Sequence, residues 1–210
     1  MSRLRVISVL FLAVTLGACG ILPAKREPPA VYSPRLHWAP PAAATRVSLQ
    51  LLVETPQANE SLDSNRILVM PTPGTLQIYK GALWSDRAPT LLRGLLIEAF
   101  ERSGRITGVG SFATGLSSDF TLAWTLRDFQ AEYRDGVPVA VVRVGVNLVD
   151  ALNGRVVAAR TFEASRPATS SATASVAQAF EAVLDALLPQ IVEWTLENGS
   201  AVRAPVPASR

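Results

Sequence analysis

The amino-acid sequence predicts an α+β domain: a mixed, largely antiparallel sheet with two amphipathic helices packed on one face. Three observations carry this reading. Apolar and polar residues alternate over several runs between residues 46 and 164, as in strands with one buried face. Two further stretches space their apolar residues by three and four, as helices do. The dipeptides Asp135-Gly136 and Asn153-Gly154 separate the later runs, so those runs fold back as hairpins. A sheet with one apolar face and helices with apolar stripes bury each other, which puts both helices on the same side.

The chain opens with a targeting signal. Arg3 and Arg5 form a positive region, Val6 to Leu16 an apolar one, and Leu16-Gly17-Ala18-Cys19 has the small residues and the cysteine of a bacterial lipoprotein cleavage site. The apolar run is much shorter than the roughly 20 residues of a membrane-spanning helix. Residues 1–18 are read as a signal peptide and Cys19, the single cysteine, as the lipid attachment site, bearing a covalent diacylglycerol and an N-acyl group. A signal for ordinary secretion needs small residues but no cysteine. Several acyl chains, each contributing about 0.8 kcal/mol per buried CH₂, make a permanent anchor. Resemblance to lipoprotein signals implies that Gly20, where Asp would favour inner-membrane retention, directs the protein to the outer membrane, facing the periplasm of a Gram-negative cell.

Residues 19–45 hold Pro23, Pro28, Pro29, Pro34, Pro40 and Pro41 with Ala42, Ala43 and Ala44, a composition that favours extended chain and reads as a tether enclosing His37 and Trp38. The domain spans 46–197. Its first strand places Val47, Leu49, Leu51 and Val53 on one face; Arg66 to Met70 and Thr75 to Tyr79 form a hairpin around Pro71-Thr72-Pro73-Gly74. Leu92, Leu95, Leu96, Ala99 and Phe100 make the apolar stripe of the first helix, with Ser85 or Asp86 as cap, Pro89 in the first turn and Gly104 at the end. A meander follows over 119–164, with Phe120, Leu122, Trp124 and Leu126, then Val142, Val144, Val146 and Leu148, then Val156, Ala158 and Phe162 on successive inner faces. Val176, Phe180, Val183, Leu187, Ile191 and Trp194 mark the second helix, which Pro189 should kink or divide because it lacks an N–H donor and clashes with the preceding turn. Residues 198–210, with Gly199, Pro205 and Pro207, read as a loose tail.

Composition excludes much chemistry. With 49% apolar and 18% charged residues the chain is not intrinsically disordered, and one cysteine with one histidine cannot build a disulfide framework, a Cys/His zinc site or an iron–sulfur cluster. The formal charge of +3 is scattered among 17 acids and falls when the signal takes two arginines away, so no nucleic-acid partner is expected. His37 lies in the tether as a solvated residue, which leaves no catalytic triad. Neither Lys25 nor Lys80 has a phosphate-loop context, and Gly108-Val109-Gly110 lacks the third glycine of a dinucleotide fingerprint. The carboxylate pairs Asp128/Glu132 and Glu98/Glu101 fall on polar faces. No catalytic residue, metal site or cofactor beyond the lipid is expected, and the protein reads as a non-enzyme. Phe100, Phe120 and Trp124 are packing residues. Tyr79 and Trp84 flank Lys80-Gly81 between a strand and a helix; they form either an apolar-rimmed edge for a partner or lipid, or part of the core.

The run Leu62-Asp63-Ser64-Asn65-Arg66-Ile67-Leu68-Val69, then Ile78-Tyr79, Trp84 with Asp86, Leu91-Leu92 and Leu95-Leu96, resembles the ABC-type transport auxiliary lipoproteins, the group that includes paraquat-inducible protein C-like proteins. Phe100 to Gly104, Leu148-Val149-Asp150, Gly154-Arg155-Val156, Phe162, Ala179-Phe180 and Trp194 keep the same order over about residues 46–196. Two features depart from the pattern: Tyr32-Ser33-Pro34 stands where many relatives carry an extended aromatic-rich strand, and Pro189 interrupts the last helix. The resemblance implies a non-catalytic periplasmic component of a lipid-transport system with an ABC ATPase, a permease and a mammalian-cell-entry (MCE) protein, docking or receiving that assembly at the outer membrane. The alternative is a carrier that holds an acyl chain in its own sheet–helix cleft, and a third is a hydrolase of envelope material, which would need a carboxylate pair in a cleft. Exposed strand edges leave a homo-oligomer open beside a monomer. Replacing Cys19 by Ser is expected to abolish acylation and leave the fold intact, read by fatty-acid labelling in cells; equal labelling of both forms would refute the lipid attachment.

Overall fold

The computed structural model describes residues 27–40, 45–115 and 117–203. The signal peptide, Cys19, Gly20, the start of the tether and the tail from residue 204 lie outside the described residues. In chain order the elements are β1 (Ala30–Tyr32), β2 (Val47–Val53), β3 (Arg66–Thr72), β4 (Thr75–Trp84), α1 (Ala88–Ser103), β5 (Ile106–Gly110), a 3₁₀ turn (Phe112–Thr114), β6 (Phe120–Arg134), β7 (Val137–Asp150), β8 (Val156–Pro167) and α2 (Thr173–Arg203).

The sheet is organised around β6. One edge of this strand pairs with β7 along its whole length, and β7 pairs with β8, both antiparallel. Its other edge is shared: β2 runs parallel to Phe120–Leu122 and β3 parallel to Gln130–Glu132. The sheet therefore forks, with β5 beyond β2 on one branch and β4 then β1 beyond β3 on the other. Four of the seven ladders are parallel, yet the two longest are antiparallel, so the sheet is α+β in character and mixed as predicted. Asp135 (φ 52°) and Gly136 (φ 79°) both adopt left-handed backbone, which is what a two-residue hairpin turn between right-twisted strands requires.

A bulge between Leu126 and Asp128 lets β6 serve both branches. Before it Phe120, Leu122, Trp124 and Leu126 face the core; after it Phe129 and Ala131 do, because the extra residue reverses the alternation. Phe162 and the row Ala140, Val142, Val144, Val146 and Leu148 complete the inner face. Val156, expected inside, is 57% exposed, because the β7–β8 register shifts between Leu148 and Val149.

Both helices cover this inner face. In α1, Leu92, Leu96, Ala99 and Phe100 are buried, and Gly104 (φ 61°) ends the helix by donating its N–H to the Glu101 carbonyl. The expected side-chain cap is absent: Arg87 holds the cap position, the Ser64 carbonyl accepts the Ala88 N–H, and Asp86 accepts the Arg87 N–H. Helix α2 is one 31-residue helix, not divided at Pro189; Leu187, Leu188, Ile191 and Val192 around the proline are all buried, and this packing outweighs the lost hydrogen bond. Thr173–Val202 is long and apolar enough to cross a membrane, but 56% of its most apolar window is buried, as in a core helix.

Three other expectations change. Residues 30–38, assigned to the tether on their prolines, are part of the fold: β1 pairs in parallel with Ala82–Trp84, and Leu36 is 3% exposed. Asn198–Arg203 belongs to α2 rather than to the tail. Strand β5 was not anticipated, since its two glycines and five residues give no clear alternation.

Opposite outcomes are expected for glycines in the two helices. A Cβ on Gly199 would lie 2.4 Å from Leu49 Cδ1, a fully buried atom group, whereas one on Gly94 meets nothing within 4 Å. Gly199→Ala should lose about 1–3 kcal/mol of stability and Gly94→Ala gain about 0.5–1 kcal/mol in denaturant titrations. Val183→Asp, burying an unpaired carboxylate against the sheet, should lose about 4 kcal/mol or more.

Candidate functional site

The two aromatic residues singled out by the sequence part company in the structure. Trp84, at the end of β4, is 1% exposed; its ring lies 5.4 Å from Phe129 and 5.3 Å from Phe180, edge-on to the latter at 86°. Phe129 and Phe180 are themselves 4.8 Å apart, so the three rings knit β4, β6 and α2 together. Trp84 is therefore a core residue and offers no surface to a partner. Its indole N–H has no acceptor among the described residues.

Tyr79 is half-buried on the same strand. Its hydroxyl is buried without a well-formed hydrogen bond, and burial, reinforced by neighbouring Tyr133, pushes the phenol well above its usual pKa. Burial thus favours the neutral phenol over the phenolate. On the free part of β4, Leu76 and Ile78 are 41% and 44% exposed and border a shallow groove of about 550 Å³ with Glu60, Arg66 and Leu68. The left-handed Gly81 (φ 70°) lies between this free part and the residues that pair with β1.

Most of the carboxylates considered for chemistry are in ion pairs. Asp128 pairs with Arg143, Glu132 with Arg134, and the buried Gln130 amide donates to both carboxylates, at 3.0 and 3.3 Å. Glu98 pairs with Arg102 one helical turn on. Each carboxylate considered for acid–base chemistry is thus in an ion pair, apart from Glu101, which lies exposed on α1. Among the described residues no three His, Cys, Asp or Glu side chains are disposed around a metal position. His37 is solvated, with Nε2 4.0 Å from Glu181.

A feature the sequence reading missed is the strap from Ser33 to Trp38. It crosses α2, where two carboxylates one turn apart hold its backbone: Glu181 Oε1 accepts the Arg35 N–H at 3.2 Å, and Asp185 Oδ1 accepts those of His37 at 2.7 Å and Trp38 at 3.1 Å. Pro34 and Leu36 are buried beneath it. The available signal was Glu181 and Asp185 themselves, an i, i+4 acidic pair on a helix otherwise apolar on several sides. Between sheet and helices the space is filled by Trp84, Phe129, Phe180, Leu122 and Leu126, all under 3% exposed.

Over residues 35–192 the chain matches the family described as ABC-type transport auxiliary lipoprotein component. It is similar to the solved structure of protein XCC0632 from Xanthomonas campestris, with 40% identity and a TM-score of 0.78 over 82% of this chain and 98% of that one. A solved structure of an uncharacterized protein shares the fold at 19% identity and a TM-score of 0.64, over 80% of this chain and 99% of that one. A curated relative, the uncharacterized protein bll6063 of Bradyrhizobium diazoefficiens, is 28% identical over 162 residues; the match takes 74% of this chain and spans 41% of the relative's length.

Removing the shared acceptor by Asp185→Ala is expected to cost about 1–3 kcal/mol. It should also speed amide exchange at His37 and Trp38 selectively. Unchanged exchange at both amides would show that the strap is held by Pro34, Leu36 and the Glu181 contact without Asp185.

Proposed function

Because the chain belongs to the ABC-type transport auxiliary lipoprotein components, we propose that it is the lipid-anchored, non-catalytic component of an MCE-associated system that moves lipid or another hydrophobic substrate, docking the transport assembly at the outer membrane. The observation that carries this is the family match across residues 35–192, from the strap to α2, and the sequence Leu16-Gly17-Ala18-Cys19 ahead of it supports the lipoprotein reading of residues 1–18 as a signal. The family's name denotes an auxiliary part of a transporter, not a catalyst. Energy for transport then comes from nucleotide hydrolysis by the ATPase partner, and this domain contributes binding free energy and position. The filled sheet–helix layer favours the docking role over that of a carrier with an acyl chain in its own cleft. Tyr79 remains a candidate partner contact only through the exposed strand around it, Trp84 being buried.

The full-length acylated protein, extracted from its own membranes, is expected to co-purify with an MCE-domain protein and the permease. A deletion strain should show envelope sensitivity, and Gly20→Asp should move the protein from the outer- to the inner-membrane fraction. An acylated protein that retains none of these partners, in a strain with an intact envelope barrier, would overturn the assignment.

A further inference from the structure

We propose that the end of the domain bearing the β3–β4 and β6–β7 turns rests on a lipid bilayer surface, the one that holds the acyl chains of Cys19. The inference deepens the lipoprotein reading above and rests on it.

The direction of the chain carries the argument. Strand β1 runs parallel to β4, with Ala30 beside Ala82 and Tyr32 beside Trp84. Upstream of Ala30 the chain is therefore aimed back along β4 towards Thr75 and the turn at Pro73-Gly74. The β6–β7 turn lies at the same end, because β3 and β6 run parallel with Met70 opposite Glu132. From Ala82 to Thr75 is about 23 Å at roughly 3.3 Å per strand residue. The eleven residues from Cys19 to Ala30 reach at most about 40 Å. An anchor at Cys19 thus holds the two turns within about 15–20 Å of the bilayer or against it.

The opposite end cannot take this place as readily. Val31 and Tyr32 border one groove with Ala177 and Gln178, near the start of α2, while Gly199 near its end lies against Leu49 and Phe120. That separation is about 33 Å of helix. To bring the far end to the same membrane, the tether would have to reverse at Ala30 and run almost fully extended.

The surface at the turns fits a membrane. Leu76, Ile78 and Val137 are each more than 40% exposed there. Arg166, opposite Ala140 beside the β6–β7 turn, and Lys80, about 16 Å up β4 from Thr75, have no carboxylate partner among the described residues, and Arg134 is paired with Glu132. Asp135, in the turn itself, and Glu60, exposed beside Leu76 and Ile78, are opposing acids. Exposed aliphatic side chains beside unpaired cations suit the interface of a bilayer containing anionic phospholipid.

The test uses the full-length acylated protein, in which Cys19 is consumed, carrying one introduced cysteine labelled with an environment-sensitive fluorophore: Ile78→Cys, Val137→Cys or, at the far end, Leu152→Cys. The proteins are placed in phosphatidylethanolamine–phosphatidylglycerol vesicles containing a lipid-borne quencher. Quenching at positions 78 and 137 should be about twofold or more above that at 152, and Lys80→Glu with Arg166→Glu should reduce it. Melting curves matching the parent protein confirm that each variant is folded. Equal quenching at all three positions, in protein whose mass shows the acyl chains, overturns the inference and leaves the lipoprotein reading standing. A mass without acyl chains removes both. Crosslinking of position 78 in cells to a polypeptide rather than to lipid also overturns it, and assigns the surface to a protein partner.

Discussion

The constraint on which the molecule depends is the burial of α2. Val176, Phe180, Val183, Leu184, Leu187, Leu188, Ile191 and Val192 are all 2% exposed or less, and they point in more directions than one sheet can cover. Each such side chain contributes about 1.5–3 kcal/mol when removed from water, as an upper estimate. The helix therefore needs the sheet on one side and α1 and the strap on the others. The β7–β8 meander delivers it to the right end of the sheet, and the contact of Phe180 with Trp84 and Phe129 fixes where it crosses the fork.

Elements written as simple periodicities were legible in the sequence. The inner faces of β2, β7 and the first half of β6, both helical stripes and the Asp135-Gly136 turn follow from spacing alone, since each is a local pattern read against one buried face. What escaped depends on contacts distant in sequence. The bulge in β6 reverses a strand face with a single extra residue, and the shift near Val149 turns Val156 outward. The strap looked like linker because prolines suit extended chain equally well when that chain packs on a helix. Trp84 was poised between core and surface because no local pattern says whether Phe129 and Phe180 will come to meet it.

The proposed role and the architecture agree in one respect. Several carboxylates hold structure: Asp128 pairs across strands with Arg143, Glu132 pairs with Arg134 on the same strand, and Asp185 accepts two backbone N–H groups of the strap. A strap already held on α2 suits the docking role proposed above, because interaction energy is not lost in ordering it.

The parallel pairing of β1 with β4 also fixes how mechanical load enters the protein. A pull along the strand axis from upstream of Ala30 loads β1 lengthwise, so the β1–β4 bonds resist together in shear instead of opening one at a time. The same line of force continues into the strap, where Pro34 and Leu36 are seated and Glu181 and Asp185 grip the backbone. Load that passes the β1–β4 ladder at the sheet's edge is thus handed on to α2, the best-buried element. A load entering upstream of Ala30 therefore meets two separate clasps in series, one on a sheet edge and one on a helix, and both must open before the chain beyond Trp38 is exposed to it.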